Sequence, residues 1–308
     1  MSSHFSCIGF PVDDMDAYWT LARRAAAEGI RFPVPDVGAL VRWAPGEAPG
    51  PLTLPSPTSG RGESGWAHPR PPSTGPEIWA QVNQTGEVTG ATPFFATGEP
   101  HTLAITGIGE DPEEPLDGWI DGWLEPSEPD EPYSGAFPMR VGLVDFALAR
   151  SRITTFPTTR RVEIAALTHE AELYENEAAY RTAPGEIYRP PLESFASTAH
   201  AGIDDAVEFA EATALVSGRV AQARLLINPV SEAAYWWMQV SLRGVTLHVF
   251  ADRETLGKEP RTGNILSASF WLIGRTAEPG DRGPGHQGTK QTVSDRPGDH
   301  VAREPGKH

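Results

Sequence analysis

Cysteine is nearly absent: Cys7 is the single one in 308 residues. One thiol cannot close an internal disulfide, and it cannot build a thiolate zinc cluster. Long hydrophobic runs are missing too. No window approaches the roughly 20 consecutive apolar residues that a membrane-spanning helix needs. The opening MSSHFSCIGF has neither a basic start nor a long apolar stretch, so it does not read as a secretory leader. A cytoplasmic location with no membrane partner is the expectation. Positive charge is scarce, with 25 Lys and Arg against 41 Asp and Glu, a net of −16. That balance disfavours general binding to nucleic acid or to anionic membranes. The phosphate-loop, dinucleotide-binding and nucleophile-elbow glycine patterns do not occur. The carboxylates lack any spacing that marks an acid/base pair. His286, His300 and His308 are too scattered for a metal tract. Cys7, in an apolar stretch, reads as an inert buried thiol.

Proline (30) and glycine (31) are plentiful. Much of the excess falls in 44–76, expected to be a mobile insertion, and in 276–308, expected to be a disordered tail. Elsewhere the pattern is mostly that of strands. His4–Val12 reads as a buried strand. Asp13 and Asp14 then cap a helix through MDAYWTLARRAAAEG, with Met15, Trp19, Ala22 and Ala26 on one stripe and Gly29 as the stop. Strands follow at Ile30–Val34, Gly38–Trp43, EIWAQVN, EVTGATPFF and His101–Ile108. The acidic segment 109–132 predicts a turn of amphipathic helix around Trp119, Ile120 and Trp123. FPMRVGLVDFALA and RRVEIAALT read as strands. HEAELYENEAAYRTA is either a strand entering a helix or mostly helix.

There is a faint internal echo. HFSCI at His4 matches HTLAI at His101, and each is followed later by a Glu-headed strand, EIWAQV at Glu77 and EIAAL at Glu163. A βαβββ unit used twice would give this pattern. With Gly75-Pro76-Glu77-Ile78 opening a strand, the N-terminal half resembles the vicinal oxygen chelate, or glyoxalase-like, superfamily. That resemblance implies paired modules holding a divalent metal, here through His4, Glu77, His101 and Glu163. Two imidazoles and two carboxylates suit Zn, Fe, Mn or Ni, and such a centre would polarise a carbonyl or activate a nucleophile. The alternative keeps these residues as surface or edge positions around a metal-free small-molecule cleft.

From Thr213 to Arg275 the chain is a run of alternating strands: TALVSGRVAQA, YWWMQVSLR, VTLHVFA and ILSASFWLIGR. Trp236, Met238, Val240 and Leu242 share a face with Val245, Leu247 and Val249. Tyr235, Trp237, Gln239, Ser241 and Arg243 point the other way, with Thr246, His248 and Phe250. Gly244 makes a tight hairpin, and Gly218 a bend. This meander resembles a small barrel of the OB type, although only four strands are evident. Residues 212–275 carry 7 basic and 4 acidic residues, a net of +3, against −19 for 1–211. The resemblance implies that Tyr235, Trp237, Arg243 and His248 could stack single-stranded bases. The competing reading is that Trp237 and Phe250 pack against the N-terminal half or a second subunit.

The expectation is therefore a β-rich α+β protein. A paired βαβββ-like half (1–183) is followed by a connector (184–211), a small antiparallel β-barrel (212–275) and a tail (276–308). Three functions stay open: a non-catalytic small-molecule-binding or protein-interaction protein, a divalent-metal-dependent glyoxalase-like enzyme, and a single-strand nucleic-acid binder. A homodimer is compatible with each.

Overall fold

A computed structural model describes residues 4–45, 74–111, 113–128, 131–184, 190–200 and 212–277. The expected insertion, connector and tail lie largely outside these residues. The protein is β-rich, with a few short helices. Among the described residues no helix is long and apolar enough to cross a membrane.

The chain begins with a correction. His4–Val12 is not a strand; Ser6–Ile8 forms a 3-10 turn that ends at Gly9 in the left-handed conformation. The apolar reading holds, since Phe5, Cys7, Ile8 and Phe10 are all buried. A Cβ on Gly9 would lie 2.7 Å from both Asn228 and Tyr235, so the turn packs too tightly for any other residue. Helix α1 (Met15–Glu28) is capped by Asp14, whose side chain accepts from Ala17 N at 2.8 Å, and it stops at Gly29. Its inner stripe differs from the expected one. Ala22 and Ala25 are buried, Tyr18 and Leu21 pack beside them, and Met15 is 62% exposed. Tyr18 sets this rotation because its hydroxyl accepts from Ala91 N at 2.8 Å on the sheet beneath.

That sheet is an antiparallel meander of β1 (Ile30–Val34), β2 (Gly38–Trp43), β3 (Gly75–Asn83) and β4 (Val88–Ala96). The remaining strands form a second, larger sheet. They are β5 (His101–Glu110), β6 (Gly118–Leu124), β7 (Phe137–Leu143), β8 (Thr158–Tyr174), β9 (Ser194–Ser197), β10 (Thr213–Ile227), β11 (Ala234–Leu242), β12 (Val245–Asp252) and β13 (Ile265–Thr276). Helices α2 (Phe146–Ala149), α3 (Glu177–Thr182) and α4 (Arg253–Leu256) lie between them. The expected helical turn around Trp119 is strand β6. Its burial alternates with period two, Ile120, Gly122 and Leu124 inside, which an acidic, glycine-rich sequence disguised. HEAELYENEAAYRTA is the strand entering a helix: β8 runs to Tyr174 and α3 follows.

The pairings close the large sheet twice. Strands β5, β6 and β7 form a meander, β7 runs parallel to β13, β13 is antiparallel to β8, and β8 returns to β5. Strands β10, β11 and β12 form a second meander, β12 runs parallel to β8, and β13 returns to β10. Two closed rings of five strands therefore share the β8–β13 ladder. The repeated unit is three strands, a short helix and a fourth strand. Asp145 and Asp252 stand at the N-caps of the corresponding helices α2 and α4.

This arrangement replaces the expected pair of βαβββ units. The His4 segment leads into a helix and a four-stranded meander, whereas the His101 strand belongs to the larger sheet. The expected boundary between 183 and 212 also runs through one continuous sheet. The C-terminal strands find their fifth partner in β8.

One core fills the rings, with Leu103, Ile120, Val141, Met238, Val240 and Phe270 among its members. A second lies between the four-stranded sheet and the outer wall of the rings, where Ile78, Phe94 and Phe95 meet Ala165, Leu167, Tyr235 and Phe250. Ile164 and Ala166 face the first core while Ala165 and Leu167 face the second, so β8 is apolar on both sides there. Of the two readings of the outer face, packing against the N-terminal half is the one seen. Phe250 is fully buried and stacks on Phe95 at 4.4 Å. Replacing Phe250 with Ala is expected to cost about 3–5 kcal/mol of unfolding free energy, measured by urea denaturation.

Candidate functional site

Two of the four expected metal ligands do converge. Glu163 on β8 and Arg275 on β13 are directly opposite in the ladder, and β3 supplies Glu77 from the other sheet. Arg275 Nη1 donates to Glu77 Oε1 at 2.9 Å and Oε2 at 3.0 Å, and Nη2 donates to Glu163 Oε1 at 2.9 Å. Trp79 Nε1 donates to Glu77 at 2.9 Å, and the Thr97 and Gly98 amides donate to Glu163 at 2.9 and 3.1 Å. Arg42 approaches Glu77 at 3.7 Å, and the Phe94 ring lies 5.3 Å below the Arg275 guanidinium. Both carboxylates are buried, at 1% and 2% exposure. Burial pushes the Glu77 carboxyl up, against the pull of Arg275 and Arg42. Burial also opposes the charge of Arg275, yet Glu77 and Glu163 hold its pKa above the ordinary value. A guanidinium thus stands between the carboxylates where the chelate reading would put a cation.

The two histidines are not part of this cluster. His101 pairs in register with Val162 on β8, whereas His4 Nε2 lies 3.0 Å from Nδ1 of His169, further along the same strand. At about 3.3 Å per residue, these points on β8 are roughly 20 Å apart. His101 Nδ1 instead meets Glu125 Oε1 at 3.2 Å, and this hydrogen bond holds the Glu125 carboxyl below its usual value. The expected four-ligand centre is therefore not assembled. Among the described residues no group of three or more His, Cys, Asp and Glu is placed to hold a metal ion. Cys7 is buried, and its thiol is pushed up to about 12 by burial and then by Asp252.

The expected base-stacking platform is also not an open surface. Tyr235 is 2% exposed and His248 5%. Trp237 Nε1 donates to His248 Nδ1 at 3.1 Å, which leaves the imidazole proton on Nε2, 3.0 Å from Glu99. Burial, the largest influence on it, lowers the His248 pKa. Arg243 lies in the β11–β12 hairpin turn with a positive φ of 44°. The outer face was read correctly from its alternation, but the four-stranded sheet covers much of it.

A cleft of about 440 Å³ opens where β4 meets the mouth of the first ring. Its lining includes His4, Thr92, Asp111, Asp117, Trp119 and Trp271. The Trp119 indole rests on Gly109, where a Cβ would come within 2.2 Å of the ring, so only glycine fits. Arg140 lies over the same indole at 4.7 Å and pairs with both oxygens of Asp121, at 2.9 and 3.0 Å. Trp271 is held by His4, ring centroids 4.6 Å apart. Burial, and next His169, lowers the His4 pKa to about 4, so this imidazole is neutral at neutral pH. Asp117 is pushed up to about 7, chiefly by burial, with Glu114 and Asp111 adding to the rise against the Gln81 hydrogen bond.

Of these cleft residues, the sequence reading singled out only His4 as a site candidate. The sequence reading puts Trp119 on a helical turn and gives Asp117 and Trp271 no mark of function. The one available signal is Gly109 within β5, which leaves room for the Trp119 ring. No family model, curated protein or solved structure matches this chain.

Replacing Arg275 with Met is expected to cost about 3–5 kcal/mol in denaturant unfolding, because two buried carboxylates lose their counter-charge. Asp117 supplies a pH test. Its folded pKa of about 7 lies above the ordinary 3.8, so the folded state holds its proton more tightly than the unfolded chain. Its contribution to stability is full below about pH 4 and is lost as pH rises through 7. Asp117→Asn is expected to raise the melting temperature over the native protein at pH 8 and to give no gain at pH 4, followed by thermal unfolding at both values.

Proposed function

We propose that this is a non-catalytic small-molecule-binding protein whose ligand occupies the cleft between the four-stranded sheet and the first ring. One observation carries this reading: a cavity of about 440 Å³ that brings together two tryptophans and a partly buried carboxyl from separate elements. Ligand sites for small molecules are typically concave, about 300–1,000 Å³, mostly apolar, and furnished with a few convergent polar groups. Trp119 and Trp271 offer flat apolar surface, and Asp117 offers a hydrogen-bonding end. A ligand with a planar body and one polar terminus matches this lining.

We also infer that each ring is a small barrel of the OB type. Support comes from the repeated order of a three-stranded meander, a short helix with Asp at its N-cap position and a closing fourth strand, the fifth place being filled by a strand of the other repeat. Loops at the mouth of such barrels are common binding positions. The turn that carries Asp111 and Asp117 joins the first two strands of one ring.

The test is a small-molecule screen read by thermal shift and by intrinsic tryptophan fluorescence. Compounds that bind are expected to raise the melting temperature with concentration, to quench fluorescence, and to lose at least tenfold in affinity in Trp271→Ala. Binding that is indifferent to Trp271→Ala and to Asp117→Asn would place the ligand elsewhere and end this reading.

A further inference from the structure

We infer that the cleft selects an organic cation: a ligand with an aromatic or compact apolar body and an ammonium or amidinium end. This rests on the cleft being the ligand site and adds the charge class of what it holds.

The argument begins with the walls. Two indoles, Trp119 on β6 and Trp271 on β13, line one cavity although 152 positions separate them in the chain. The face of an indole carries negative potential, and a cation near it gains about 0.5–2 kcal/mol, more when water is excluded. Arg140 already lies over Trp119, so the ring offered to a ligand cation is that of Trp271. Both rings are fixed, Trp119 by Gly109 and Arg140 and Trp271 by His4, so little freedom is lost when a ligand enters.

The charge on the lining has one sign. Asp111 and Asp117 contribute carboxyls, and among the described residues lining the cleft there is no lysine or arginine. His4 supplies no positive charge, being neutral. Arg140, over Trp119, is already matched by both oxygens of Asp121. An anionic ligand would meet two carboxyls and no cationic side chain among the described lining residues. A neutral ligand would leave the partly buried Asp117 carboxyl, once ionised, without a counter-charge from the lining. A cation satisfies both.

Proton competition follows. The groups around Asp117 are Asp111 and Glu114 on its own loop, Tyr18 from α1, Gln81 from β3 and His4 across the cleft. None of these brings a positive charge at neutral pH, so a bound cation and a proton compete for Asp117. With its pKa at about 7, cation affinity is expected to rise about tenfold between pH 6 and pH 8.

The experiment is a tryptophan-fluorescence titration of the full chain with three probes of similar shape: benzyltrimethylammonium, neutral benzyl alcohol and benzoate. The ammonium is expected to bind at least tenfold more tightly than the alcohol, with benzoate silent. Its affinity should climb with pH as stated, and Asp117→Asn should remove both the pH dependence and about tenfold of the ammonium affinity while leaving the alcohol unchanged. Thermal unfolding of the variant establishes that it is folded. Equal or tighter binding of the alcohol or the benzoate, still sensitive to Trp271→Ala, overturns the cation while leaving the cleft as the site. No quenching by any probe, or quenching untouched by Trp271→Ala, overturns both.

Discussion

The β8–β13 ladder is the constraint on which the rest of this structure depends. The two strands pair antiparallel from Ile265 opposite Tyr174 to Thr276 opposite Val162, and each also bonds to strands of both meanders. Neither ring can close without the strand that the other repeat donates. Folding of the two halves is coupled in consequence, because long-range pairing must form before either core is enclosed. Close approach along the ladder leaves little room for side chains. A Cβ on Gly274 would lie 2.7 Å from Val141 and 3.0 Å from the Glu163 carbonyl.

Buried charge reinforces the same ladder. Arg275 and Glu163 form one rung of it, and Glu77 reaches them from the four-stranded sheet. Taking three ionised groups out of water is expensive, and well-packed apolar residues would often be as stable. What the trio does supply is register. A slip of one residue along β8 or β13 would turn Glu163 or Arg275 to the opposite face, into the ring core, and leave the partner charge unpaired. The orientation of the four-stranded sheet on the rings is thereby tied to the strand pairing, and the cleft that lies between them inherits its shape from both.

Strand positions were largely legible because they rest on a local property. β1, β2 and the four C-terminal strands follow from alternation and turn residues, and the start of α1 follows from Asp14. The two departures have separate local causes. His4–Val12 reads as a strand because an apolar run reports burial without reporting backbone geometry, whereas the chain makes a 3-10 turn there that ends at Gly9. The residues around Trp119 read as a helical turn because the acidic and glycine content of β6 hides its period of two. The candidate site was much less legible. Glu77 and Glu163 were recognised as partners, but their shared ligand, Arg275, lies 198 and 112 positions away and carries no local mark. His4 and His101 looked equivalent because each heads an apolar segment, and only their places along β8 separate them.

The sequence by itself determined the β-rich character, the alternation of faces, the helix cap, the acidic balance and the exclusion of a disulfide. Each of these is a property of neighbouring residues or of composition. Tertiary structure decided that two rings exchange strands, that a guanidinium stands between two buried carboxylates, and that Asp117, Trp119 and Trp271 border one cavity. Side-chain direction repeats every two residues along a strand, so it can be read from a short window. The choice of partner strand depends on which distant apolar faces and charges satisfy one another, and only the folded chain brings those together.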